Sequence, residues 1–262
     1  MASVFDYMRE TLVDDTLVFV LILSGLNLYI HFVLGKAKEI PENSWIRNLD
    51  KKTQSELRGY FVTLCSHLYI VPMSFALIYS NNNVLLGQSN AEISRRYAAF
   101  KVTPCMVAHL IVDTFSCVIP DWIIHNHPDS AVYMFHHIIS CIITYAILSG
   151  PDSVSVYLPR LLICELSQIF NIILIVLSII KSPLKGSVFY SLIEAAFIIS
   201  FVVLRIVNLG SAFYNILDML GLYECTFVFA LLYLLQVYWL FLIIKKLLSR
   251  RSNGGDTKLK KG

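Results

Sequence analysis

Two adjacent histidines, His136 and His137, sit inside the apolar run 130–149. Histidine can take and return a proton near neutral pH, or carry a group transiently on a ring nitrogen. In hydrocarbon its polar nitrogens cost free energy unless a partner or an internal cavity receives them. On a helix, Tyr133, His136, His137, Ser140 and Thr144 share one broad face, because three- and four-residue steps return to the same side. That face has to look into a bundle. Neighbouring runs carry groups that suit it. His67 lies with Tyr60, Thr63 and Ser74 along one side of its run. Cys105, His109 and Asp113 recur at four-residue steps, a spacing that lets His109 and Asp113 pair along a helix. A carboxylate at that depth is a functional candidate by default. The densest polar stripe is Tyr157, Arg160, Cys164, Glu165, Ser167, Gln168 and Asn171. Further on, Glu194, Arg205 and Asn208 share a side, and Tyr233 and Gln236 precede Trp239.

The elements that must position these groups are membrane spans. The 262-residue chain is 56% hydrophobic and only 15% charged, whereas a soluble domain carries about 25% charged residues. Apolar runs of spanning length fall at 16–34, 60–80, 98–119, 130–149, 153–180, 187–208 and 220–247. The first has no cleavage-site pattern and reads as a retained helix. The loop 35–59, the loop after the fifth run and the C-terminal tail hold 15 of the 21 Lys and Arg. The positive-inside rule therefore places the tail in the cytosol and the acidic N-terminus in a lumen or outside. On that topology His67, His109, Asp113, His136, His137, Gln168 and Asn171 lie in the cytosolic half or near the midplane. Glu165 lies near the midplane, and Arg160 and Arg205 map to the lumenal side. Residues 1–50 then form a lumenal tail, first span and basic loop; 51–247 form a six-helix domain; 248–262 form a basic tail.

The remaining segments narrow the chemistry. The loop 35–59 joins basic residues to Trp45, which suits an anionic leaflet or the headgroup of an acyl-coenzyme A. The connector 120–129 holds two His and two Asp, but their order matches no zinc motif, and no metal or other cofactor is expected. All six cysteines fall in spans, so no disulfide is expected. Nucleic-acid binding has no support, since the basic residues are accounted for by topology. A seven-helix receptor lacks support as well: no acidic–Arg–aromatic triplet closes the third span, and no Asn-Pro-x-x-Tyr occurs in the seventh.

Taken together, several of these residues resemble a known family. The His136-His137 pair, Asp113 on the preceding span, and Glu165-Leu166-Ser167 with Phe170 and Asn171 on the next resemble the TLC-domain proteins. So do Arg205 late in the sixth span and Tyr238-Trp239-x-Phe241 running into Lys245-Lys246. That family includes the TRAM proteins, the ceramide synthases and a branch of small TLC-domain-containing proteins, which the text resembles most. The resemblance implies an all-α membrane protein of seven transmembrane helices, six of them in a barrel-like bundle around a lipid cavity. In the ceramide synthases the paired histidines and a following His-Asp-x-x-Asp stretch form an acyltransferase site. Here the pair is His136-His137, while the following stretch reads Cys164-Glu165-Leu166-Ser167-Gln168 and keeps one acid.

Two functions in lipid homeostasis stay open. In one, His136 or His137 is nucleophile or base, Asp113 or Glu165 orients the ring, and an acyl group passes from acyl-coenzyme A to a membrane-lipid amine or hydroxyl. His67, His109, Arg160, Gln168, Asn171 and Arg205 would then bind the lipid or its donor. In the other, the same cavity holds a lipid without reacting, and the histidines bridge helices. The C-terminal Lys258 and Lys260 resemble a dilysine retrieval signal, which implies the endoplasmic reticulum membrane and the retrieval machinery as a partner.

Overall fold

The computed structural model describes residues 2–36, 49–84, 91–125, 130–149, 157–220 and 223–259, and all regular structure among them is helical. The helices are α1 (Ala2–Gly35), α2 (Lys51–Val84), α3 (Ala91–Asp113), α4 (Ile119–His125) and α5 (Ser130–Ser149). They are followed by α6 (Leu158–Leu162), α7 (Leu166–Ile179), α8 (Val188–Ser200), α9 (Leu209–Leu220) and α10 (Tyr223–Leu259). Six stretches among the described residues are long and apolar enough to cross a membrane: Val13–Gly35, Lys51–Tyr79, Val102–Ile124, Leu158–Ile179, Val188–Asp218 and Phe227–Ser249. The apolar part of α5, Ser130–Thr144, is shorter, although the whole helix has 20 residues. The protein is thus a multi-pass helical membrane protein. The side chains on the outer surface fit this: Leu21, Leu28, Ile123, Val188 and Leu192 are exposed, the arrangement expected where lipid is the solvent.

Two spans continue through π-helical segments. Thr114–Val118 joins α3 to α4, and Phe201–Asn208 joins α8 to α9. The helix therefore does not stop at residue 119 as the sequence suggests; it runs through Pro120 to His125. Proline has no N–H and leaves a carbonyl one turn back without its usual partner. In hydrocarbon that carbonyl must be satisfied from elsewhere. The Ser116 carbonyl, four residues before Pro120, accepts from Arg58 Nη2 at 3.3 Å, and the other end of the same guanidinium donates to His31 Nδ1 of α1 at 3.0 Å. One side chain thus ties α1 and α2 to the π segment beside Pro120. Between α7 and α8 the chain reverses tightly, with Gly186 at φ +92°, a value suited to glycine. Ser187 then caps α8 by accepting from Tyr190 N at 3.2 Å.

α2 is the hub, in contact with α1, α3, α6 and α7. The main core joins Ile70 of α2, Leu110 of α3, Ile143 of α5, Leu158 of α6, Phe213 of α9 and Phe229 of α10. A second, smaller core seats α1, through Leu23, on Val62, Ala108 and Val112. α10 packs on α5, α9 and the π segment before α9.

Candidate functional site

Four histidines from three spans line one cavity of about 250 Å³: His67 on α2, His109 on α3, and His136 and His137 on α5. Asp113, Glu165, Gln168 and Asn171 line it too, together with Tyr60, Tyr133 and Trp239. The polar faces read from residue spacing therefore converge.

The floor of the cavity is a buried polar layer. Arg205 donates to Glu165 Oε2 at 2.8 Å, to Ser167 Oγ at 2.8 Å and to Gln236 Oε1 at 3.1 Å. Glu165 Oε2 also lies 2.9 Å from His67 Nε2, and His67 Nδ1 lies 2.7 Å from the Thr63 carbonyl. Ser66 Oγ lies 3.1 Å from the same His67 Nδ1, so both ring nitrogens have partners within the protein. Arg205 is 2% exposed, Gln236 1% and His67 1%, so the pairing is what makes these groups tolerable here. The π segment Phe201–Asn208 carries Arg205, and the seam beside it is closed by Asn208 Nδ2 donating to the Arg160 carbonyl at 2.7 Å. Such segments are frequent at functional sites because they re-aim one side chain.

Above the floor the histidines divide into two kinds. His137 is held on both sides: its Nδ1 shares a 2.8 Å hydrogen bond with Thr114 Oγ1, and its Nε2 is 3.6 Å from Asp113 Oδ2. His109 and His136 are the opposite case, each with a buried Nδ1 that has no hydrogen-bond partner. The His109 ring stands edge-on to His67 with centroids 4.9 Å apart, and the His136 ring edge-on to Trp239 at 5.0 Å. The rings that carry these nitrogens line the cavity.

A family model described as the TLC domain matches residues 60–245. The chain belongs to the TLC-domain family. No curated protein and no solved structure gives a significant match. The matched region of the TLC domain holds every residue of the cavity floor and all four cavity histidines.

Several expected pairings change partners. His109 and Asp113 do not pair along α3; Asp113 faces His137 across the α3–α5 interface instead. Glu165 does not orient His136 or His137, because Arg205 and His67 already occupy it. Arg205 sits in the Glu165 layer rather than apart on the lumenal side. Arg160 is not brought to the site: its guanidinium lies over the Tyr157 ring, 5.8 Å from the centroid, and it lines neither the cavity nor its neighbours. Gln168 and Asn171 bond each other at 3.1 Å and line the cavity edge. Trp45 of the basic loop, His127 and Asp129 of the 120–129 connector and Lys260 lie outside the described residues, and of His125 and Lys258 only the helical backbone is described. Among the described residues no group of three or more His, Cys, Asp or Glu is placed to hold a metal ion.

Sequence reasoning missed Thr114, Cys117 and Gly59. Thr114 and Cys117 belong to the π segment, whose extra residue per turn rotates them toward α5 and α2. Gly59 lets α2 approach: a Cβ there would sit 2.8 Å from Cys117 Sγ. A lone glycine at the start of an apolar run signals this only in hindsight.

Proposed function

We propose that this protein transfers an acyl group from a cytosolic thioester, acyl-coenzyme A, to the amine or hydroxyl of a membrane lipid, with His136 as the proton acceptor. The observation that carries this reading is the His136 ring on the cavity wall, its Nδ1 without a hydrogen-bond partner, 5.8 Å between ring centroids from His137 with its Asp113 partner. A free imidazole nitrogen can take the proton as the lipid oxygen or nitrogen attacks the thioester carbonyl. The carbon–sulfur bond then breaks, and the same proton leaves with the thiolate. His137 is a positioning residue whose ring is fixed by Thr114 and Asp113. Glu165 serves the floor, because its Oε2 already accepts from Arg205 and lies 2.9 Å from His67 Nε2. The lysine-bearing tail and the basic segments favour a cytosolic C-terminus, a lumenal N-terminus and residence in the endoplasmic reticulum, reached through retrieval machinery that reads Lys258 and Lys260.

A second reading has its own support. Most polar groups here are already satisfied within the protein, as in a helix-bridging network around a bound but unreacted lipid. Purified protein given acyl-coenzyme A and a lipid extract separates the two. Acyl transfer, or a covalent acyl adduct on histidine by mass spectrometry, supports the first reading, and His136→Ala abolishes it while expression holds. Exchangeable lipid with no transfer in the wild type supports the second.

A further inference from the structure

The lipid chain has two routes away from the histidines. One runs along the bundle axis, past the floor. The other runs sideways, into a larger groove of about 480 Å³ between α7, α8 and α10. The axial route is small. Among the described residues, a void of about 50 Å³ lies beside Glu165 and Arg205, lined also by His136, Ile143, Leu158, Leu209 and Leu232. Met106, His136 and Glu165 line both this void and the histidine cavity, so what limits the axial route is its size: a sixteen-carbon chain needs several times that volume. Widening it at this point would separate the buried Glu165 carboxylate from the Arg205 guanidinium at 2.8 Å, which is unfavourable for a buried ion pair.

The lateral groove is continuous with the cavity. Glu56, Tyr133, Gln168, Asn171 and Trp239 line both. Its walls are mainly apolar, with Leu174, Ile175, Ile198, Phe201, Leu242 and Ile243, and its far end reaches Lys246. It follows α7 from Gln168 to Ile179, about 16 Å at 1.5 Å per residue. The volume falls within the roughly 300–1,000 Å³ usual for small-molecule sites.

We propose that this groove is the chain-binding site of the lipid, entered sideways from the leaflet on the Lys246 side, because the axial void is too small to hold a chain. The occupant is a single hydrocarbon chain whose polar end lies at the histidines; the inference rests on the lipid-acting reading but not on catalysis. Bilayer tails are as apolar as the groove, so burial alone adds little affinity. Selectivity comes from the polar end, through the polar residues that line the cavity, His109 and His136 among them.

The test uses the full chain in phosphatidylcholine nanodiscs, with hexadecylamine and hexadecanol each carrying a terminal diazirine. After photolysis, labelled residues are mapped by mass spectrometry with and without excess untagged compound. Competable labelling at Leu174, Ile198 or Ile243 is expected for at least one probe, while outward residues such as Leu192 label without competition. The double variant Ile198→Trp/Ile243→Trp should remove the competable labelling, with an unchanged gel-filtration profile as the folding control. Competable labelling at Ile143, Leu158 or Leu232, or none in the groove of the wild-type protein, overturns the proposal. The map needs no turnover, so groove labelling without acyl transfer would sink the catalytic reading alone.

Discussion

Replacing Arg205 with methionine tests the cavity floor most directly. The change removes three donated hydrogen bonds, to Glu165, Ser167 and Gln236, and leaves Glu165 with His67 as its only strong partner. Truncating one member of a buried ion pair typically costs about 3–5 kcal/mol, mostly from the charge left behind. For a chain of this size that corresponds to a fall in midpoint on the order of 10 °C. The assay is thermal unfolding of the purified protein in detergent, followed by circular dichroism, alongside Arg205→Met/Glu165→Gln. If the loss comes from an unmatched charge, neutralising Glu165 should return at least half of it, because the double variant buries no orphaned carboxylate. Arg205→Met within about 1 kcal/mol of wild type, or a double variant no better than the single one, would refute the reasoning. The first result would mean that apolar packing holds these segments together; the second, that the bonds to Ser167 and Gln236 matter more than the charge on Glu165.

Three further outcomes follow from single contacts. Gly59→Ala places a methyl 2.8 Å from Cys117 Sγ beside Asp113 and should cost about 1–3 kcal/mol as overpacking; Gly59→Ala/Cys117→Ala should recover it in the same melts. Thr114→Val leaves His137 Nδ1 without its 2.8 Å partner, a loss of about 1–3 kcal/mol for a buried group, whereas Thr114→Ser should stay close to wild type. At the start of α2, Asp50 Oδ1 accepts from Thr53 N at 2.7 Å, and the Thr53 backbone and hydroxyl groups hold its carboxyl below the usual aspartate range. Its stabilising effect is therefore complete above about pH 3.9 and fades as the pH falls through the lowered value; Asp50→Asn should flatten that part of an acid-unfolding curve while keeping the cap.

Much of the site was legible before any coordinates because hydrocarbon leaves polar residues few options. His67, His109, Asp113, His136, His137 and Glu165 had to face inward, and helical spacing says which sides of the spans they occupy. The partners were not legible. Asp113 lies one helical turn from His109, yet it faces His137, because the choice depends on how α3 and α5 sit against each other. Arg205 looked remote from Glu165 by depth, but the π segment around it brings it within 2.8 Å. Arg160 and Arg205 were equivalent as intramembrane cations, and only packing sends one to the buried floor and the other over Tyr157.

The amino-acid sequence by itself determined the solvent, the helical spans and the inward sides of those spans, since each follows from transfer free energy and a fixed helical period. Which carboxylate neutralises which cation, which imidazole nitrogen is left open, and whether a chain has room along the axis or only to the side were decided by tertiary structure. Those outcomes depend on distances of a few ångströms between helices far apart in the chain, and no local pattern encodes them.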